Sequence, residues 1–378
     1  MEFTVQRAEL LKELTLSQGV VERKTTIPIL SNILLETSGD SLQMTATDLE
    51  LGIRNSCPAN VKKGGATTVP AKKLFDYVRQ LEEAEVRFKS ADSAGGAAVQ
   101  VACGRSRVRM AGLARENFPV LPEFPGKLAV LPRQVLLQMI RRTIFAISTE
   151  ESRYTLNAAL LVLKPETMTM VATDGHRLAH VETDPSVVRE GYEGVGGELR
   201  VLVPKKAMTE LQRHLAEQPE EGGIEFGKDE NHLFFRMGTR LLICRMLTGQ
   251  FPNYEAVMPK ANEQAVLLEQ APVMAALRRV ALFSDERSHA VRFQLSKEEL
   301  KIVSTGSEAG ESEESLTTTY AGAPLQIGFN WEYLLDFLTA ADSEKVSLEF
   351  KDEQSAGQMR PVPDGKLKYC YVIMPMRI

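Results

Sequence analysis

The chain alternates between two hydrophobic periods. In "RAELLKELTLSQ" (7–18), "PRQVLLQMIRRTIFAIS" (132–148) and "APVMAALRRVALFS" (271–284), apolar residues return every three or four positions. That is the spacing of an amphipathic helix. In "SLQMTATDLELGI" (41–53) and "ALLVLKPETMTMVATDG" (159–175) they alternate or cluster briefly, as in short, partly buried strands. Further helices are expected directly after Pro70, Pro204 and Asn330, because the first helical position has no use for an N–H. There Leu74, Val78 and Leu81 fall at i, i+4, i+7, and Met208, Leu211 and Leu215 at i, i+3, i+7.

These elements recur in a fixed order. "MTATDLELGI" (44–53) is echoed by "MVATDGHRLA" (170–179), with Asp48 and Asp174 126 residues apart. "TTVPAKKLFDYVRQL" (67–81) is echoed by "VLVPKKAMTELQRHL" (201–215), and "GRSRVRMAGLARENFPVLP" (104–122) by "GTRLLICRMLTGQFPNYEAVMP" (238–259). A fainter third copy has "LKIVSTGSEAG" (300–310) and "QIGFNWEYLLDFL" (326–338) in the corresponding places. Three landmarks repeating at a period of about 130 residues indicate an internal triplication. Pro- and Gly-rich stretches at 118–127 and 251–263 mark the joins, giving expected domains of 1–127, 128–259 and 260–378. Two helices and about eight short strands per copy predict α+β units with antiparallel sheets.

Composition adds little to this, but charge does. Hydrophobic residues make up 43% and charged residues 25% of the 378, ordinary for a globular chain with several cores. No apolar run approaches the ~18 residues of a membrane span, and "MEFTVQRAEL" lacks a signal peptide's apolar core, so a cytoplasmic protein is expected. Cys57, Cys103, Cys244 and Cys370 are far apart in sequence and read as buried free thiols. The net charge of −5 argues against a nucleic-acid binder unless the charge is segregated. It is segregated: the six expected helices hold thirteen basic and seven acidic residues, net +6, leaving −11 for the rest. Such helices suit phosphate contact without base reading.

The markers "TATDLEL", "VATDGHRLA", "GQFPNY" and "YVIMPMRI", with the opening "MEFTVQRAELL" and "TTIPILSNILLE", resemble the family of bacterial DNA sliding clamps, the beta subunits of the replicative polymerase. The resemblance spans essentially the whole chain. It implies a DNA-clamp fold of three repeated domains, each with two helices on an inner face and antiparallel sheets outside. It further implies a head-to-tail homodimer that closes into a ring, slides on duplex DNA without sequence specificity and acts as a polymerase processivity factor. A circle of twelve helix axes at ordinary packing distances is about 35 Å across. Subtracting helix width leaves a hole of about 25 Å or somewhat more, wide enough for a duplex.

The resemblance also implies sites. A groove for short partner peptides would use Arg153, Leu156, Thr173, Gly175, His176, Arg177, Leu178, Pro252, Val257, Val372, Ile373, Met374, Pro375, Met376 and Arg377. Ala256 and Gln354 depart from the basic and apolar side chains that many members carry there. DNA contacts are expected at Lys24, Lys72, Lys73, Arg79, Tyr154, Lys205, Lys206, Arg278 and Arg279, and a dimer contact at Arg105, Val108, Met110, Val273 and Leu277. Implied partners are double-stranded DNA, a second copy, the polymerase catalytic subunit, the clamp loader, and other polymerases and repair or replication factors bearing clamp-binding peptides.

No catalytic residue, cofactor or metal is expected. His176 and His180 would stand about 13 Å apart along a strand, too far to share an ion. Asp48 and Asp174 occupy equivalent places in different copies, where each reads as a turn residue bonding its own backbone rather than half of an acid–base pair. The glycines of "GYEGVGGELR" (191–200) lack phosphate-loop spacing. An open DNA-binding scaffold that never closes is the alternative to the ring.

Overall fold

Helices begin where alternation gives way to the longer period. In the computed structural model, which describes residues 1–21, 26–82, 84–93, 96–188, 191–217, 222–260, 262–306 and 310–377, they are α1 (Arg7–Ser17), α2 (Ala71–Arg79), α3 (Arg133–Thr143), the single turn α4 (Pro185–Val188), α5 (Lys205–Ala216), α6 (Gln270–Ala281) and α7 (Trp331–Ala341). Pro70, Pro132 and Pro204 directly precede α2, α3 and α5. Before α7 a side chain does that work: Asn330 Oδ1 accepts from the backbone N–H groups of Glu332 (2.9 Å) and Tyr333 (3.4 Å). α4 has no counterpart among the sequence-predicted helices. No helix among the described residues is long and apolar enough to cross a membrane.

Each repeat supplies eight of the described strands, all antiparallel to their neighbours. They form sheets of twelve, eight and four strands. The boundaries between sheets ignore the boundaries between repeats. Strand Leu51–Lys63 of the first repeat pairs with Arg240–Arg245 of the second, Ile53 opposite Leu242. Strand Arg177–Thr183 of the second pairs with Leu367–Ile373 of the third, Leu178 opposite Val372. One rule covers both seams: the strand after the "ATD" turn of one repeat takes the last strand of the next.

Contacts accordingly divide the chain into two units, Met1–Arg133 with Lys206–Met246, and Gln134–Lys205 with Leu247–Ile378. The cut passes through the second repeat because its strands are committed to both neighbours. Within the first unit the seam is reinforced by a buried ion pair, Arg240 Nε donating to Glu13 Oε2 at 3.0 Å. The cost of desolvating both charges offsets much of their attraction, so the pair adds little net stability. The four cysteines are free and buried, as expected. Burial pushes the Cys57 and Cys244 thiols up to about 12.

Candidate functional site

The "ATDGHR" segment is a tight hairpin turn held by its own side chains. Asp174 Oδ1 accepts from the backbone N–H of His176 (2.9 Å) and Arg177 (3.0 Å). Thr173 Oγ1 accepts from Gly175 N–H (3.1 Å) and donates to Arg177 O (2.6 Å). Gly175 has φ +90°, a conformation that favours glycine. Asp48 makes the same turn in the first repeat, accepting from Glu50 N–H (3.0 Å) and Leu51 N–H (2.7 Å). Both aspartates are the backbone-bonding turn residues the sequence suggests.

Strand alternation sorts the remaining groove residues onto two faces of the eight-stranded sheet. On one face Leu178 and Val372 join Leu160, Leu202, Phe251, Tyr254 and other buried residues in an apolar cluster. Leu156, Leu247 and Met258 pack against it, half-buried. At its margin Val257 (47% exposed), Met374 (43%), Pro252 and His176 face solvent, with Pro375 and Met376 partly covered and Arg377 exposed. The last strand is anchored beyond its end, as Met374 N–H donates to His176 O (2.9 Å) and Met376 N–H to Gly328 O (2.8 Å). A buried apolar floor with exposed apolar rims can receive a peptide's Leu or Phe side chain.

Arg177 and Ile373 lie on the other face, and here the sequence reading is corrected. Arg177, expected in the peptide groove, points away from the apolar cluster, and its side chain is only 10% exposed. The guanidinium donates to Asp174 Oδ2 (3.0 Å), Asp336 Oδ2 (2.6 Å) and Phe145 O (2.8 Å), and stacks 4.1 Å from the Tyr333 ring centroid. Burial opposes its charge, but Tyr371, Asp336 and Asp174 more than compensate and hold its pKa above the ordinary arginine value. Ile373 is fully buried. Arg153 supports the turn from outside, its Nη1 donating to Asp174 O (2.5 Å). Ala256 and Gln354, the two departures, are both exposed. Leu247, Tyr254 and Met258 were missed by sequence reasoning, although "FPNY" already placed Tyr254 in a repeated landmark.

His180 does not share the turn with His176. It is partly buried with its ring 5.6 Å from that of Tyr254, and burial lowers its pKa. Among the described residues no group of three His, Cys, Asp or Glu is arranged to hold a metal.

The basic residues are placed unevenly. Lys72, Lys73, Lys206, Arg79, Arg278 and Arg279 are exposed, as is Tyr154 (52%). Arg279 is held by both Glu314 oxygens (2.6 and 2.9 Å), and Lys206 contacts Asp48. Lys205 is half-buried and donates to Ile147 O (3.2 Å). Lys24 lies outside the described residues.

For the dimer contact, Arg105 is exposed and Val108 half-exposed, on and beside the terminal strand Ser106–Ala111 of the twelve-stranded sheet. Met110 (6%), Val273 (2%) and Leu277 (0%) are buried within the protomer, so their side chains offer a second copy little area. The exposed apolar residues near that helix are Leu282 (77%) and Phe283 (38%), just past the end of α6.

Three family models tile the chain: the N-terminal, central and C-terminal domains of the DNA polymerase III beta subunit match residues 1–122, 130–253 and 255–377. A beta sliding clamp from Pseudomonas aeruginosa is 36% identical, and one from Escherichia coli (strain K12) 34%, each over the full length of both chains. The crystal structure of a Pseudomonas aeruginosa sliding clamp bound to griselimycin superposes with a TM-score of 0.91 at 35% identity, covering all of both chains. A Caulobacter crescentus clamp does so at 0.91 and 33%, over 100% of this chain and 99% of that one. The triplicated fold and this likeness define a DNA polymerase processivity factor of the clamp type. The chain belongs to the DNA polymerase III beta subunit family, the bacterial sliding clamps, whose typical form is a ring-shaped homodimer.

Proposed function

We propose that two copies of this chain close head to tail through the two strands the seam rule leaves without a partner. Those strands are Gly310–Thr317, which follows the third "ATD"-like turn, and Ser106–Ala111, the last strand of the first repeat; each ends its sheet. This observation carries the reading: a chain that joins repeat one to two and two to three by the same pairing has one more pairing to make, and a second copy would supply it. Arg105, Arg107 and Arg109 lie on or next to one strand, and Glu311, Glu313 and Glu314 lie on the other. Opposite charge along two edges selects head-to-tail pairing over head-to-head. Leu282 and Phe283, beside the acidic strand, supply the apolar part.

In this reading the repeats 1–127, 128–259 and 260–378 are the three clamp domains of a cytoplasmic protein. The exposed basic residues of the helices touch phosphates weakly, and topology supplies retention. The cluster around Leu178 and Val372 receives short peptides from the polymerase catalytic subunit, the clamp loader and other replication or repair factors. The chain itself performs no bond chemistry. Native mass spectrometry tests closure: a species at twice 41.9 kDa supports it. A protein that stays monomeric at micromolar concentration would leave the open scaffold as the better account.

A further inference from the structure

The turn at 173–177 is well bonded within itself, but those bonds fix its shape and not its direction. Arg153 Nη1 and the Met374 N–H tie its backbone from outside, and on the opposite face of the sheet the Arg177 guanidinium anchors it as well. Of its contacts there, Asp336 on α7 supplies the charged one, at 2.6 Å. Arg177 is nearly buried while the Asp336 side chain is 42% exposed, so the carboxylate reaches inward from a partly solvated position. Tyr333, one turn earlier on α7, stacks on the same guanidinium, and its carbonyl accepts from Tyr371 OH (3.0 Å). A helix of the third repeat thereby aims a turn of the second.

We propose that Asp336 is a positioning residue for the partner groove: through Arg177 it orients the turn that presents His176 and Gly175 at the rim. The inference rests on the groove reading given above. Asp336 itself touches no peptide; it acts by preorganising the wall, as residues behind a binding surface do.

The test is binding of a fluorescein-labelled decapeptide ending in Leu-Phe to the full-length clamp, measured by anisotropy and stopped flow. Asp336→Asn keeps the shape and removes the charge. Weaker binding of about tenfold is expected, because a turn no longer held in place must be ordered on binding, carried by faster dissociation. The lost internal bond should lower the melting temperature by no more than a few degrees, native mass should stay unchanged, and Asp336→Glu should recover most of the affinity. Exchange of the Arg177 Nη1–H protons, which donate to Asp336, followed by NMR, should quicken in Asp336→Asn more than that of Nε–H, which donates to Asp174, a pattern that a general loss of stability would not produce. Met374→Glu serves as the control on the groove. If Met374→Glu abolishes binding while Asp336→Asn binds like the parent, the positioning role is overturned and the groove stands. If Met374→Glu also leaves binding intact, the groove reading fails, and the inference with it.

Discussion

Leu178 stands directly opposite Val372 on neighbouring antiparallel strands from the second and third repeats, both buried and both in the same apolar cluster. The strand pairing that holds the two repeats together is therefore the same structure that builds the apolar cluster proposed as the groove floor. Floor residues make poor probes of binding, since truncating Leu178 would cost about 2–5 kcal/mol of stability.

Rim residues separate binding from folding. Val257→Glu is expected to weaken peptide binding at least tenfold, because it places a charge where an apolar anchor must be desolvated, while changing stability by less than about 0.5 kcal/mol. Titration with the labelled peptide and a thermal melt check both. A large drop in melting temperature would show that Val257 supports the fold.

Leu282 and Phe283 carry the dimer prediction. Replacing both with Asp should yield folded monomers, whereas replacing the buried Val273 or Leu277 should lower stability without a comparable shift in assembly. Analytical ultracentrifugation against a melting curve distinguishes the two outcomes.

His214 predicts a pH dependence within the first unit. Burial, reinforced by the positive charges of Arg213, Arg240 and Arg133, lowers its pKa from the usual 6.5 to about 3. Between those values the unfolded chain takes up a proton that the folded chain refuses, so this group's contribution is present above pH 6.5 and is lost as pH falls. The limiting slope is about 1.4 kcal/mol per pH unit. His214→Leu should flatten the stability profile between pH 6.5 and 4.5 relative to the parent, as read by denaturant unfolding. Parallel profiles would remove His214 as the cause.

Charge reversal of Lys72, Lys73 and Arg278 tests the helix faces. The triple Glu variant should load onto DNA less efficiently yet still dimerise, and direct binding should lose up to about 0.9 of its log–log salt slope per phosphate contact removed. Unchanged loading would take these residues off the DNA-facing surface.

Much of this was legible in the sequence, because triplication lets each faint signal be checked against two copies. The prolines before α2 and α5, the "ATD" turns and the eight strands per repeat all follow from periodicity and turn chemistry. The faces of the groove were less legible. Arg177 and Leu178 are adjacent in sequence, and only the pairing with Leu367–Ile373 shows that one points to the apolar cluster and the other to α7. Val273 and Leu277 lie on the inward stripe of α6 and are buried, whereas Leu282, about 180° round from Val273 at 3.6 residues per turn, reaches solvent. Asp336 gave no local signal at all, since its partner lies 159 residues away.

If the ring closes as proposed, retention on DNA is topological. The clamp, loaded onto a nicked circular plasmid by its cognate loader with ATP, would be followed by gel filtration in high salt before and after one restriction cut. A ring held by topology stays with the circle and leaves the linear molecule. Salt-sensitive binding that is equal for both forms would contradict it and leave an ordinary electrostatic DNA binder.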